Sequence, residues 1–120
     1  MKRDMDLIRT ILLKIEDKSM DSATTVDIAN VSRATTDYHL KLMVEAGLID
    51  AGERQDRERK FEAWWVNDLT WRGHEILDTI SDPEVWRKTK ATAQDIGGFS
   101  LSIIKDIAVG VIKDRLAGGV

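Results

Sequence analysis

Ala46-Gly47-Leu48-Ile49-Asp50-Ala51 is the stretch whose reading decides the fold. A helix with Ser32 as its N-cap runs up to Ala46, and Gly47 stops it, as glycine does just past a helix end. Leu48-Ile49-Asp50-Ala51 then reads as a strand. The run 52–60, GERQDRERK, is polar after its first glycine and reads as a hairpin tip. The second strand, 61–66, sets Phe61, Ala63 and Trp65 on one face and Glu62, Trp64 and Val66 on the other. Two tryptophans on opposite faces predict that both faces are partly covered. Thr70 then caps a helix carrying Trp71, Ile76, Leu77 and Ile80.

Outward from this centre the pattern is helical. Met5, Ile8, Leu12 and Ile15, widened by Leu7 and Ile11, predict an amphipathic helix over 3–17. Residues 18–23 read as a loop. Thr24-Thr25-Val26-Asp27-Ile28-Ala29 fits either a short β-branched strand or a stunted helix. Asp82-Pro83-Glu84 is a helix start: a cap, a proline at the first position, an acid in the first turn. That helix ends by Gly97-Gly98, and a last one spans 100–116 before a fraying tail, 117–120. The predicted class is mainly α with a small β-hairpin (α+β). We divide it as a domain over 1–96 and a C-terminal apolar helix over 97–120.

Composition narrows the chemistry. A length of 120 residues fits one domain with a real core. The absence of cysteine removes disulfides, thiolate catalysis and the usual zinc fingers, and fits a reducing, cytoplasmic setting. The N-terminus lacks the pattern of a secretory signal, and the apolar run 103–112 is too short and too charged to cross a bilayer. The net charge of -3 gives no global basic surplus for nucleic acid, so any phosphate-binding surface must be local.

Two resemblances follow from these residues. His39-Leu40-Lys41-Leu42-Met43-Val44-Glu45-Ala46-Gly47-Leu48-Ile49 resembles the recognition helix and first wing strand of winged-helix regulators, and Leu69-Thr70-Trp71-Arg72-Gly73 resembles the L-T-x-x-G that closes their wing. The expected architecture is therefore a winged helix with additional C-terminal helices. More specifically, the opening Met1-Lys2-Arg3-Asp4-Met5-Asp6-Leu7-Ile8-Arg9, Tyr38-His39-Leu40-Lys41-Leu42, Leu69-Thr70-Trp71-x-Gly73-His74-Glu75 and Trp86-x-Lys88 look like an uncharacterised family of small bacterial and prophage proteins, a domain of unknown function. That resemblance implies a fold and a mobile-element context but no activity. One departure matters: the segment before Ser32 is too short for the first helix of a helix-turn-helix, which alters the usual docking on DNA.

The candidate site residues come from charge and apolar patterning. On the central helix Arg33, Asp37, Lys41 and Glu45 form one stripe, which reads as a self-pairing ladder or as a face presenting Arg33 and Lys41 to DNA. Leu40 and Met43 face the core, while Ala34, Tyr38 and Leu42 make a second apolar side that needs cover. The hairpin tip holds Arg54, Arg57, Arg59 and Lys60, interleaved with Glu53, Asp56 and Glu58. It is either an ordinary solvated wing or a basic edge for phosphates. Ile104, Ile107, Val111 and Ile112 belong to a wide apolar stripe on the last helix, expected to pack on a second copy or to wrap the domain. His39 and His74 read as partly buried, hydrogen-bonded histidines, and all four tryptophans as core, an exposed one marking an interaction surface.

No catalytic, metal or cofactor constellation stands out, so a non-enzymatic protein is expected. The leading reading is a DNA-binding protein, a small transcriptional regulator of phage or mobile-element origin. Its partners would be double-stranded DNA and a homo-oligomer or protein held by the last helix, with no membrane. The alternative is a protein–protein interaction module on the same scaffold that does not bind DNA.

Overall fold

Ser32 and Gly47 bound the central helix by their local chemistry. In the computed structural model the Ser32 side chain accepts the Thr35 N–H, and the helix runs over Arg33–Glu45. Gly47 has φ +75°. Its N–H donates to the Val44 carbonyl, and the Leu48 N–H reaches the Met43 carbonyl, both at 2.9 Å. This is a Schellman stop, which needs a left-handed residue, and glycine takes that conformation without a Cβ penalty. The structure describes residues 1–17, 23–55, 57, 58 and 61–118, with the backbone alone at 61 and 62. The expected loop over 18–22, the tip residues Asp56, Arg59 and Lys60 and the end of the tail lie outside the described residues.

In chain order the elements are α1 (Met5–Asp17), α2 (Arg33–Glu45), β1 (Ile49–Gln55), β2 (Phe61–Leu69), α3 (Trp71–Ile80), α4 (Pro83–Ile96) and α5 (Leu101–Ala117). Among the described residues, five helices and one antiparallel hairpin make a mostly helical α+β fold. Residues 23–32 form neither a full strand nor a helix. Thr24 makes one antiparallel bridge to Val66, with N–H···O bonds of 3.1 and 2.8 Å, and Ala29 and Asn30 form a turn.

Both strands are longer than the sequence pattern indicates. β1 continues through Gln55 and β2 through Leu69, so much of the polar run is strand rather than tip. Two bulges explain why alternation hides this. Asp50 faces Asp68 and Ala51 faces Val66, leaving Asn67 extra; Arg54 faces Ala63 and Gln55 faces Phe61, leaving Glu62 extra. Each extra residue resets the period-two phase. Val66 and Leu69, three apart, are therefore both buried.

The chain forms two compact units, Met1–His74 and Glu75–Val120. In the first, α1 buries Met5, Leu7, Ile8, Ile11, Leu12 and Ile15, and α2 buries Leu40 and Met43. α1 and α2 pack on each other and on β2. Full burial of each large side chain stabilises by about 1.5–3 kcal/mol. Leu69-Thr70-Trp71-Arg72-Gly73 locks the hairpin base to the end of α2. The Thr70 N–H donates to the Leu48 carbonyl and its hydroxyl to the Gly47 carbonyl, while Thr70 Oγ1 accepts the Gly73 N–H. A Cβ on Gly73 would overlap the Leu48 carbonyl oxygen, so this position requires glycine.

In the second unit α4 and α5 pack together. Asp82 caps α4, Pro83 opens it, and Gly97 ends it at φ +71°. The Gly97-Gly98 pair is thus the turn of a helical hairpin, and the units divide inside α3 rather than at residue 97. Among the described residues, no helix is long and apolar enough to cross a membrane.

Candidate functional site

The surface to be weighed is formed by α2 and the β1–β2 hairpin that follows it. Arg33, at the first turn of α2, is committed to the fold. Its Nη1 meets Asp27 Oδ1 at 2.9 Å, its Nη2 donates to the Val26 carbonyl at 2.8 Å, and its Nε donates to Asp37 Oδ1 at 3.1 Å. Asp37 is buried, so this is more than a surface ladder. The guanidinium ties the non-helical segment before Ser32 to the helix after it. Lys41 stays exposed two turns further on, next to exposed Glu45. The structure therefore separates the two α2 candidates: Arg33 clamps the backbone, and Lys41 remains on the surface.

His39 is wholly buried and satisfied at both nitrogens. The Asp4 N–H donates to Nε2 at 2.9 Å, and Nδ1 lies 2.8 Å from the Thr35 carbonyl. A carbonyl only accepts, so Nδ1 carries the proton and the ring is neutral in this arrangement. The ring pins the N-terminal residues to α2. His74, expected to be partly buried, is exposed instead.

On the wing, Glu53, Arg54, Arg57 and Glu58 are all exposed. Arg57 sits in the turn rather than on a strand. Arg59 and Lys60 lie outside the described residues. The guanidinium carbon of Arg54 lies 4.1 Å from the centroid of the Trp65 ring, a cation–π contact that alternation alone did not reveal. Trp64 and Trp65 are both half-buried, in line with two partly covered faces.

The other tryptophans part ways. Trp86 is buried, but Trp71 is 82% exposed. At 100° per residue Trp71 falls opposite Ile80, and α3 buries Ile76, Leu77 and Ile80 instead. On the second side of α2, Ala34 is exposed while Tyr38 and Leu42 are half-buried. Of the α5 candidates, Ile104 is wholly buried and serves the core of its own unit. Ile107, Val111 and Ile112 are half-buried, and Leu116 is exposed.

Open clefts among the described residues lie elsewhere. One of about 480 Å³ lies between the start of α1 and residues 28–35, with Asp4, Asp6, Thr10, Asn30 and Ser32 in its lining. It carries acids and hydroxyls but no base, a poor match for a phosphate. Another, about 460 Å³, lies between α4 and α5 and is lined by Glu84, Lys88, Asp114 and Arg115. Among the described residues, no three His, Asp or Glu side chains are grouped to hold a metal ion.

The pattern of an uncharacterised family described as a hypothetical protein, DUF2513, matches residues 2–100. The chain belongs to the DUF2513 family. That span takes in α1 to α4, including the Arg33 clamp, the His39 pin and the Thr70–Gly73 lock. An uncharacterised protein of Haemophilus influenzae is 37% identical to the chain over 120 residues, covering 98% of this chain and all of that protein. No solved structure matches the chain.

Proposed function

We propose that this DUF2513 chain is a small, non-enzymatic winged-helix DNA-binding protein, and that its wing supplies the main phosphate contacts. The observation that carries the reading is the hairpin: seven- and nine-residue strands leave the end of α2 directly and present Arg54 and Arg57 to solvent. The order helix, bridging residue, helix, hairpin, helix supports the winged-helix assignment, with 25–32 as an extended segment and turn where a helix-turn-helix has its first helix. Arg33 is already bound to Asp27 and Asp37, which argues for the wing over α2 as the phosphate contact. A regulatory role on a phage or mobile element follows the resemblance of the opening MKRDMDLIR motif.

The test is fluorescence anisotropy of labelled duplex DNA with the whole chain over a salt series. Expected is binding whose logarithm falls linearly with log salt, at a slope of about -2 to -4 for two to four phosphate contacts. Absence of binding at low salt overturns the reading.

A second reading, a protein-interaction module, draws on Trp71. An 82% exposed tryptophan on a helix surface is the kind of anchor that interfaces bury. Self-association through the half-buried Ile107, Val111 and Ile112 of α5 is one form of it. Sedimentation at micromolar concentration tests that form, and a monomer rules it out.

A further inference from the structure

We infer that Trp65 is a positioning residue that holds the Arg54 guanidinium ready for a phosphate of duplex DNA. The inference rests on the DNA reading above and adds how one wing cation is held at the hairpin surface.

The wing alternates signs: Glu53, Arg54, Asp56, Arg57 and Glu58 crowd one short segment. Bases placed among acids tend to pair with them and lose their hold on phosphate. Arg54 does not. In the strand register it faces Ala63, and Trp65 faces Gly52, so Arg54 and Trp65 are diagonal neighbours on one face. Gly52 places no side chain against the indole, and Arg54 lies over it at 4.1 Å. Among the described residues no carboxylate pairs with Arg54. Arg33 is the contrast within the same chain, with Nε, Nη1 and Nη2 all donating to oxygens.

Stacking uses the flat face of a guanidinium and leaves its N–H groups in the plane around the edge. Those are the groups that a phosphate accepts, often two at once. The indole also restricts a long side chain before binding, so less freedom is lost when the phosphate arrives. A lysine at this position keeps the charge but has neither the plane nor the fork.

The experiment is a double-mutant cycle on the whole chain, read by anisotropy of labelled duplex DNA over a salt series, with far-ultraviolet dichroism to confirm each fold. Arg54→Ala is expected to weaken binding and to reduce the salt slope by about 1. Trp65→Leu is expected to weaken binding about three- to five-fold, the equivalent of one cation–π contact, and to leave the slope nearly unchanged. On the Arg54→Ala background Trp65→Leu is expected to have no further effect. Should Trp65→Leu not fold, Arg54→Lys takes its place, with weaker binding expected at the wild-type slope.

An equal loss from Trp65→Leu on both backgrounds overturns the positioning role and leaves the DNA reading standing, as does an unchanged slope in Arg54→Ala. If the wild-type chain binds no duplex at low salt, the DNA reading itself falls. Binding to polyglutamate with none to duplex overturns both in favour of an acidic protein partner.

Discussion

Single buried positions carry bonds and contacts that the fold depends on. His39 accepts one backbone N–H and donates to one backbone carbonyl, so only the Nδ1-protonated ring fits. Nitrogen NMR is expected to show a protonated Nδ1 and a bare Nε2; the opposite tautomer contradicts the pin. His39→Ala leaves the Asp4 N–H without its acceptor and empties a buried site, and about 1–3 kcal/mol of destabilisation is expected by denaturant titration. Thr89 poses the inverse case. Its side chain is wholly buried, and its hydroxyl has no hydrogen-bond partner among the described residues. Valine has nearly the same shape without the desolvated hydroxyl, so Thr89→Val is expected to raise stability by about 1 kcal/mol. A clear loss would mean that the hydroxyl has a partner in solution. Gly73 tolerates no side chain at all: Gly73→Ala pushes a methyl into the Leu48 carbonyl and is expected to cost about 3 kcal/mol.

At the scale of elements, ends were legible and interiors less so. Ser32, Gly47, Asp82-Pro83 and Gly97 fix helix limits through bonds within a few residues, so the sequence alone carries them. The hairpin's length was not legible, because the extra residues Glu62 and Asn67 break the alternation that marks a strand. Trp71 was misread as core because the buried face of α3 is centred on Ile80, half a turn round the helix.

The helical hairpin of α4 and α5 makes a pH prediction. Asp82 Oδ1 accepts the Glu84 and Val85 N–H groups, and its Oδ2 meets Arg115 Nη1 at 2.9 Å. The bond from Arg115, then those from Val85 and Glu84, hold the Asp82 carboxyl below the usual carboxylate range. A depressed folded-state pKa means that the contribution is complete above the unfolded value and is lost as pH falls through the folded one. Acid melts are expected to lose this contribution below about pH 4. Asp82→Asn keeps the cap but removes the titration, so its melting temperature should fall less steeply with acid than the wild type's. An identical pH profile would show that Asp82 does not act.

For the whole molecule, a net charge of -3 means that any hold on DNA comes from a few local cations. Arg33 and Arg54 should then separate stability from binding. Arg33→Ala breaks bonds to Asp27, Asp37 and the Val26 carbonyl and is expected to cost about 2 kcal/mol of stability, with little change in salt slope. Arg54→Ala is expected to do the reverse. Loss of the slope in both would place α2 on the DNA after all. The Arg33 clamp was hidden from the sequence because Asp27 lies in an irregular segment six residues away, where no helical spacing pairs them. The charge stripe on α2 was visible, but which of its members were already taken was not.

That clamp also limits how the protein can be re-engineered. Grafting a foreign helix over 33–45 to alter recognition would cut the tie between α2 and Asp27, and the segment before Ser32 would lose its anchor with it. Residues 27, 33 and 37 therefore have to travel as one heritable unit. The positions open to recoding are those that the clamp leaves outside, Ala34, Lys41 and Glu45, all exposed. A library varied at those three and fixed at the clamp should yield folded members at a far higher rate than one varied along the whole helix.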